Sequence, residues 1–270
     1  VFADNLLLPR MILPLGKGQI VINETNSNDL FLLTDSDGDG VADKRELWYG
    51  GGPRGGNLEH QPSGLVWALD NAIYTTLNSI RLRWTPEGIK KEETKPNGGQ
   101  WGLGQDDNGS LWYVNASGER GPNTFQASPV YGVFNPTEQF EIGFKEVFPA
   151  AGARDFQGGL GRVRGPEGTL NGFTGCAGID VYRGDQLPKD LLGNVFFGEP
   201  VGRLMRRATV TMDGGMKVLS NPYQKDKGEF LRSTDLCFRP LNMTNAPDGT
   251  LYITDMYRGI IQEGAWVNPG

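Results

Sequence analysis

A repeated unit limits what this chain can fold into. HQPSGLVWALDNAIY (60–74) and FRPLNMTNAPDGTLY (238–252) align without a gap, Pro62 with Pro240, Asp70 with Asp248 and Tyr74 with Tyr252. GGQWGLGQDDNGSLW (98–112) fits the same template, with Asn108-Gly109 in the turn and Trp112 as the aromatic. GIDVYRGDQLPKDLLGNVFFGEP (178–200) is a looser copy with a longer hairpin. Each copy reads as strand, tight turn, strand, because Asp-Gly and Asn-Gly supply the positive φ values that a hairpin turn needs. Such a hairpin cannot bury both faces alone, and copies spaced by roughly 40–50 residues match four-stranded propeller blades packed radially.

Composition agrees. With 40 glycines and 17 prolines, and helix-forming runs nearly absent, the chain reads as short strands joined by tight turns. The expected fold is all-β, a β-propeller of four-stranded blades, six-bladed with five as the alternative, in one domain over residues 1–270. The first blade reads as RMILPL, QIVINE, DLFLLT and ELWYG. The last copy runs out near Trp266 before a fourth strand, so VFADNLLL at the start is expected to supply it and close the ring. Residues 115–175, rich in Gly and Pro, hold a degenerate or interrupted blade. A start at VFADN, without Met or a signal segment, suggests a piece of a larger multidomain protein.

The 26 basic and 32 acidic residues give a formal net charge of −6, and the basic ones are scattered, which argues against a nucleic-acid partner. No apolar run reaches about 18 residues, so no membrane span is expected in this chain. Cys176 and Cys237 lack the spacing of zinc or haem motifs and form either one disulfide or two buried thiols.

DSDGDGVADKRE (35–46) is the most specific metal signal. Acidic side chains at alternate positions can wrap a hard cation, Gly40 allows the sharp turn, the Val41 carbonyl can add a ligand, and Glu46 can close the site. The expected ligands of a Ca²⁺ ion are therefore Asp35, Asp37, Asp39, Val41, Asp43 and Glu46, the bland alternative being a solvated acidic turn. The flanks LFLLT and LWYG are strands rather than helices, so the loop is expected inside a β-hairpin, where its work is to pin the turn.

His60 is the chain's single imidazole and is expected at the start of the innermost strand of its blade. An imidazole there is either a structural residue or a proton acceptor at neutral pH. Trp48, Trp67, Trp101 and Trp112 read as blade packing. Asn23, Asn108, Asn115 and Asn242 lie in N-x-S/T sequons and are read as unglycosylated.

HQPSGLVWALDNAIY resembles the segment of the sorbosone dehydrogenase-like and soluble glucose dehydrogenase-like quinoprotein propellers in which a His precedes a strand and an Asp turn. GIDVYRGDQLPKDLLGNVFFGEPVGRLMRR resembles their long hairpin, and FRPLNMTNAPDGTLYITDMYRG their closing blade. Over nearly the whole chain, NLEHQPSGLVWALDN, NGGQWGLGQDD, GERGP and NMTNAPDGTLYITDMYRGIIQEG resemble the propeller module of large bacterial, planctomycete-type membrane-bound dehydrogenases, in which a c-type cytochrome domain commonly follows.

The resemblance implies oxidation of a sugar-like alcohol or aldehyde by pyrroloquinoline quinone (PQQ) in the periplasm or outside the cell, with a cytochrome domain as electron acceptor. It gives His60 the role of general base. Arg239 corresponds to an Arg facing the anionic cofactor, Asp255 to a polar cofactor contact, and Arg120 loosely to the Arg of an Arg-Asn-Pro motif. A cofactor with three carboxylates calls for guanidinium partners. Gly121 stands where those quinoproteins have an Asn that helps hold a catalytic calcium. On the residues alone, Arg239 can equally be paired to a neighbouring carboxylate and Asp255 can cap a turn. The other function class is a non-catalytic carbohydrate- or protein-binding propeller module of a larger redox protein.

Overall fold

A computed structural model describes residues 1–56, 60–94, 98–99, 101–114, 122–124, 140–150, 169–170, 173 and 175–259. The chain divides into two compact units, one drawn mainly from Val1–Leu103 and the other from Gly104–Thr124 together with the C-terminal half.

The first unit carries two antiparallel four-stranded sheets: β1 (Pro9–Gly16), β2 (Gln19–Glu24), β3 (Asp29–Thr34) and β4 (Lys44–Tyr49), then β5 (Val66–Trp67), β6 (Ile73–Tyr74), β7 (Ile80–Thr85) and β8 (Gly88–Glu93). In each, strand order follows the chain, as in a propeller blade. The four strands read for the first blade are β1 to β4. Register pairs Val21 with Leu32 and Asn23 with Leu30. Val21, Leu30 and Leu32 form a core with Leu65, Ile73 and Leu82, and Met11, Leu13 and Trp48 pack against it. Full burial of each such side chain contributes about 1.5–3 kcal/mol.

In the second unit, β9 (Gly104–Gln105), β10 (Leu111–Val114) and β11 (Pro122–Thr124) form one sheet. A larger sheet runs β12 (Ile179–Val181), β13 (Val195–Glu199), β14 (Leu204–Asp213), β15 (Met216–Ser220), with β16 (Leu231–Arg232) also paired to β14. A third pairs β17 (Pro240–Asn245) with β18 (Leu251–Asp255). Every residue of β13 is buried, because its two faces enter different cores: Val195 and Phe197 join Trp112, Leu170 and Ile179, while Phe196 joins Tyr182, Met205 and Met243.

All the sequence copies fold as antiparallel hairpins, β5–β6, β9–β10, β12–β13 and β17–β18. Their turn carboxylates explain why the pattern repeats. Asp70 accepts from Ala72 N at 3.1 Å and from the Tyr74 hydroxyl at 2.7 Å, so one side chain closes the turn and holds the aromatic of the next strand. Asp106 does the same for Asn108 N, Ser110 N and Trp112 Nε1. Asp248 accepts from Thr250 N and Oγ1.

Residues 1–8 form no strand, so the closing strand expected from VFADNLLL is not made there. Leu7 N donates to Glu24 Oε1 at 3.0 Å, Thr25 N to Leu8 O at 3.2 Å and Ala42 N to Phe2 O at 2.7 Å. Cys176 and Cys237 are free thiols, the first buried and the second half-buried. Most of residues 115–175 lies outside the described residues.

A charged pair lies in the core of the second unit. Arg206 and Glu229 both have fully buried side chains; Nε donates to Oε2 at 3.0 Å, and the guanidinium lies 5.1 Å from the Phe144 ring centroid and 5.0 Å from that of Phe173. Its other N–H groups donate to the carbonyls of Phe144 and Glu146. Glu229 also accepts from Phe148 N at 3.1 Å, and burial pushes its carboxyl above the usual range.

Candidate functional site

The acidic loop joins β3 to β4 and is anchored at its first residue, where Asp35 N donates to Gly18 O at 2.9 Å. Gly18 has φ +73, and a Cβ there would lie 2.4 Å from Asp35 O, so the β1–β2 turn must be glycine for the loop to seat. Asp35 Oδ1 and Oδ2 accept from Gly38 N and Gly40 N, Asp37 Oδ1 from Asp39 N, and Asp39 Oδ1 from Val41 N. Glycines at φ +81 and +88, Gly38 and Gly40, make that curl possible.

Carboxylate oxygens of Asp35, Asp37 and Asp39 converge to within 4.8 Å of one another. Two oxygens bound to one calcium at about 2.3–2.6 Å lie no farther apart than about 5 Å, so this donor set fits the ion. The other expected ligands are arranged differently. Asp43 turns to Ser36, accepting from its N at 2.7 Å and Oγ at 2.6 Å, and the hydroxyl bond holds its carboxyl below the usual range. Glu46 stands exposed on β4 opposite Leu32, and Val41 is exposed with its N–H bound to Asp39.

His60 is exposed and lies in the loop ahead of β5 rather than in the strand. Asn57, Leu58 and Glu59 before it are outside the described residues. That loop is fastened to β1 and β2: Arg10 Nη1 donates to Gln61 O at 3.3 Å and Asn23 Nδ2 to Pro62 O at 3.2 Å, while Gln61 Nε2 donates back to Gly55 O at 2.6 Å. Farther on, Thr76 and Ser63 bond side chain to backbone in both directions at 2.9 Å. The imidazole is thus carried by a segment whose backbone is held from several sides.

Arg239 and Asp255 come together in the second unit, but through the backbone of Arg239, whose N–H donates to Asp255 Oδ1 at 2.8 Å. The same oxygen accepts from Tyr257 N at 2.8 Å, so Asp255 caps the turn after β18. The Arg239 guanidinium, 1 % exposed, donates to Pro200 O at 2.7 Å, Val201 O at 3.3 Å, Arg258 O at 3.0 Å and Gly259 O at 2.5 Å. It ties three loops of its unit together, a role that the Arg-Pro dipeptide does not reveal. Arg120 lies outside the described residues.

Sequence reasoning missed Arg10. It is the extra residue of a β-bulge, since Pro9 faces Glu24 and Met11 faces the next residue, Asn23. Its guanidinium carbon lies 4.6 Å from the centroid of the Trp101 ring. Trp48 and Trp112 pack in cores as expected, whereas Trp67 is 38 % exposed with Nε1 bonded to Asn71 Oδ1. A lone Arg before an apolar strand carries no signal for either contact.

A family model described as domain of unknown function (DUF7133) matches residues 1–270. The chain belongs to this family. No curated protein matches it. Among solved structures, the apo-form of the soluble aldose sugar dehydrogenase from Escherichia coli is similar with a TM-score of 0.50 and 15% identity, covering 88% of this chain and 75% of that one. A luciferin-regenerating enzyme gives 0.49 at 12% identity, covering 94% and 71%. The PQQ-bound form of aldose sugar dehydrogenase from Streptomyces coelicolor gives 0.39 at 14%, covering 97% and 93%. The fold is an all-β propeller.

Proposed function

We propose that this chain is a calcium-binding propeller of the sugar-oxidoreductase kind, in which a sugar-like alcohol or aldehyde is oxidised beside His60. The convergence of Asp35, Asp37 and Asp39 supports the calcium part of the reading. The catalytic part rests on one observation: the chain's only imidazole is exposed, on a loop whose backbone is fastened to β1 and β2. His60 would accept the hydroxyl proton of the substrate as the carbon is oxidised.

PQQ would supply the two-electron acceptor. Two of its expected partners do not fit, because the Arg239 guanidinium is engaged by four backbone carbonyls and Asp255 by two backbone N–H groups. A bound quinone would therefore have to be held by residues other than Arg239 and Asp255. The same observation favours a second reading, a non-catalytic module that binds carbohydrate or docks a c-type cytochrome domain. Either function belongs in the periplasm or outside the cell, where free calcium is abundant. Among the described residues no helix is long and apolar enough to cross a membrane.

Two experiments test the proposal. Isothermal titration with calcium should show binding that Asp37→Ala abolishes; equal heats from both proteins would sink the metal site. Dye-linked oxidation of aldoses, after addition of calcium and PQQ, should occur in the native chain and vanish in His60→Ala. Sugar binding without turnover would select the second reading.

A further inference from the structure

We propose that the exposed indoles of Trp67 and Trp84 form a platform on the second sheet that binds a neutral oligosaccharide. The platform lies at the β5–β6 turn, the other end of β5 from the loop that carries His60, and it depends on neither reading of the His60 site.

Strand register brings the two indoles to one face. Trp67 pairs with Ile73, Ile73 with Leu82 and Leu82 with Lys91, so these four side chains share a face of the sheet. Trp84, two residues beyond Leu82, points the same way and pairs with Ile89 on β8. The middle of this face is core, since Ile73 and Leu82 are buried and Ile89 packs against them. β6 begins only at Ile73, so β7 outruns it, and the face ends in a step where Trp67 is 38% exposed, Trp84 47% and Leu69 of the turn 70%. Hydrogen bonds fix this step. Trp67 Nε1 donates to Asn71 Oδ1 at 2.9 Å, and Arg83 Nη1 ties the turn to β7 by donating to Asp70 O at 2.7 Å and Asn71 O at 3.2 Å. Two strand spacings of about 4.8 Å and two residues of about 3.4 Å separate the tryptophan Cα atoms by about 12 Å.

The chemistry of the patch selects its occupant. One exposed aromatic says little, but two held at a set spacing on one sheet face form a patch. It is too small for a protein partner: with about 250 Å² for a whole indole side chain, the two expose about 200 Å², a quarter of the about 800 Å² that each partner buries in a stable interface. Charge does not mark it either. Arg81 and Arg83 alternate to the opposite face and are both bonded there to Glu92, which leaves Lys91 at the outer strand as the one charged residue in the Trp67 row. The platform therefore offers two flat apolar surfaces edged by the exposed Asn71 amide and the Lys91 ammonium. A pyranose ring has the complementary chemistry, with C–H groups on its face to lie on an indole and hydroxyls at its edge to meet those donors. One ring cannot reach across about 12 Å, so both indoles are engaged only by a chain of sugars, where the second contact follows the first at high effective concentration.

Calorimetric titration of the full chain with cellohexaose, laminarihexaose, glucose and polygalacturonate, with tryptophan emission read in parallel, tests the platform. At least one of the two hexaoses should bind and change the emission, and glucose should bind at least about tenfold more weakly. Trp67→Ala and Trp84→Ala should each weaken the hexaose by about tenfold or more, equivalent to about 1.4 kcal/mol. Neither residue belongs to the buried core, so both variants should keep the native unfolding midpoint closely. His60→Ala should leave the affinity unchanged. No binding of either hexaose, native affinity in both tryptophan variants, glucose binding as tightly as the hexaoses, or preference for polygalacturonate overturns the inference. Light scattering that shows a dimer abolished by Trp84→Ala overturns it too, by giving the patch to a second copy of the chain. Hexaose binding lost in His60→Ala and kept in the tryptophan variants would place the sugar at His60 instead. Failure of calcium binding or of aldose oxidation leaves the hexaose result standing, so the two proposals fail separately.

Discussion

Replacing Asp180 with asparagine should flatten the pH dependence of unfolding. Asp180 lies on β12, 9% exposed, and accepts from Val181 N at 2.8 Å, Asn245 N at 3.2 Å and Asn245 Nδ2 at 3.0 Å. It is sealed in because β9 lies directly over it: a Cβ on Gly104 would be 2.7 Å from the Asp180 Cα. Burial pushes its pKa up from 3.8 to about 6, outweighing the hydrogen bonds and Arg183, which pull it down. The folded chain therefore holds this proton more tightly than the unfolded chain. Stability from this group is complete below the unfolded value and is lost as pH rises through about 6. Two units at about 1.36 kcal/mol each amount to about 3 kcal/mol, of which about 2 kcal/mol falls between about pH 4 and pH 7. Asparagine keeps one accepting oxygen and gives up the other, a cost of about 1 kcal/mol that does not change with pH. Urea unfolding of both proteins across that range should show the variant gaining about 2 kcal/mol relative to the native chain from the acid to the neutral end. Parallel stability curves would refute the claim that Asp180 is a proton-holding buried carboxylate.

Other predictions concern the core, the acidic loop and the thiols. Arg206→Leu should cost about 3–5 kcal/mol in denaturant unfolding, because it leaves Glu229 buried without its cation; a loss under 1 kcal/mol would contradict that pairing. Calcium at about 100 times its dissociation constant should raise stability by about 2.7 kcal/mol, and Asp35→Asn should erase most of that gain. Gly18→Ala should raise the denaturant sensitivity of the native fold and weaken calcium binding together, since the added methyl meets Asp35 O. A thiol reagent should modify Cys237 in the native protein and reach Cys176 only on unfolding, because Cys176 is fully buried and burial beside Glu199 raises its thiol pKa well above the usual value; rapid modification of both would contradict the packing.

The strands of β1 to β4 and the hairpins at the sequence copies were legible because their signals are local. Alternation of apolar residues and Asp or Asn turn chemistry act over a few residues, and no distant partner is needed to state them. The curl of the acidic loop was legible for the same reason, in that it is set by glycines and by carboxylates bonded to N–H groups two to five residues on. Where the later carboxylates of the loop sit was not legible, because Asp43 bonds Ser36 and Glu46 belongs to the ladder of β4, where pairing with Leu32 fixes its position.

What the sequence determined by itself is the all-β class, the turn at each copy and the place where carboxylates crowd together. Only tertiary structure decided what the cationic side chains do. Arg239 and Arg10 are both single arginines among apolar neighbours, yet one is buried against Pro200, Val201, Arg258 and Gly259 while the other is turned by a bulge onto Trp101 and the His60 loop. A guanidinium satisfies its N–H groups with whatever acceptors the folded chain brings near. Those acceptors are backbone carbonyls from residues tens of positions away, and no local pattern encodes their approach.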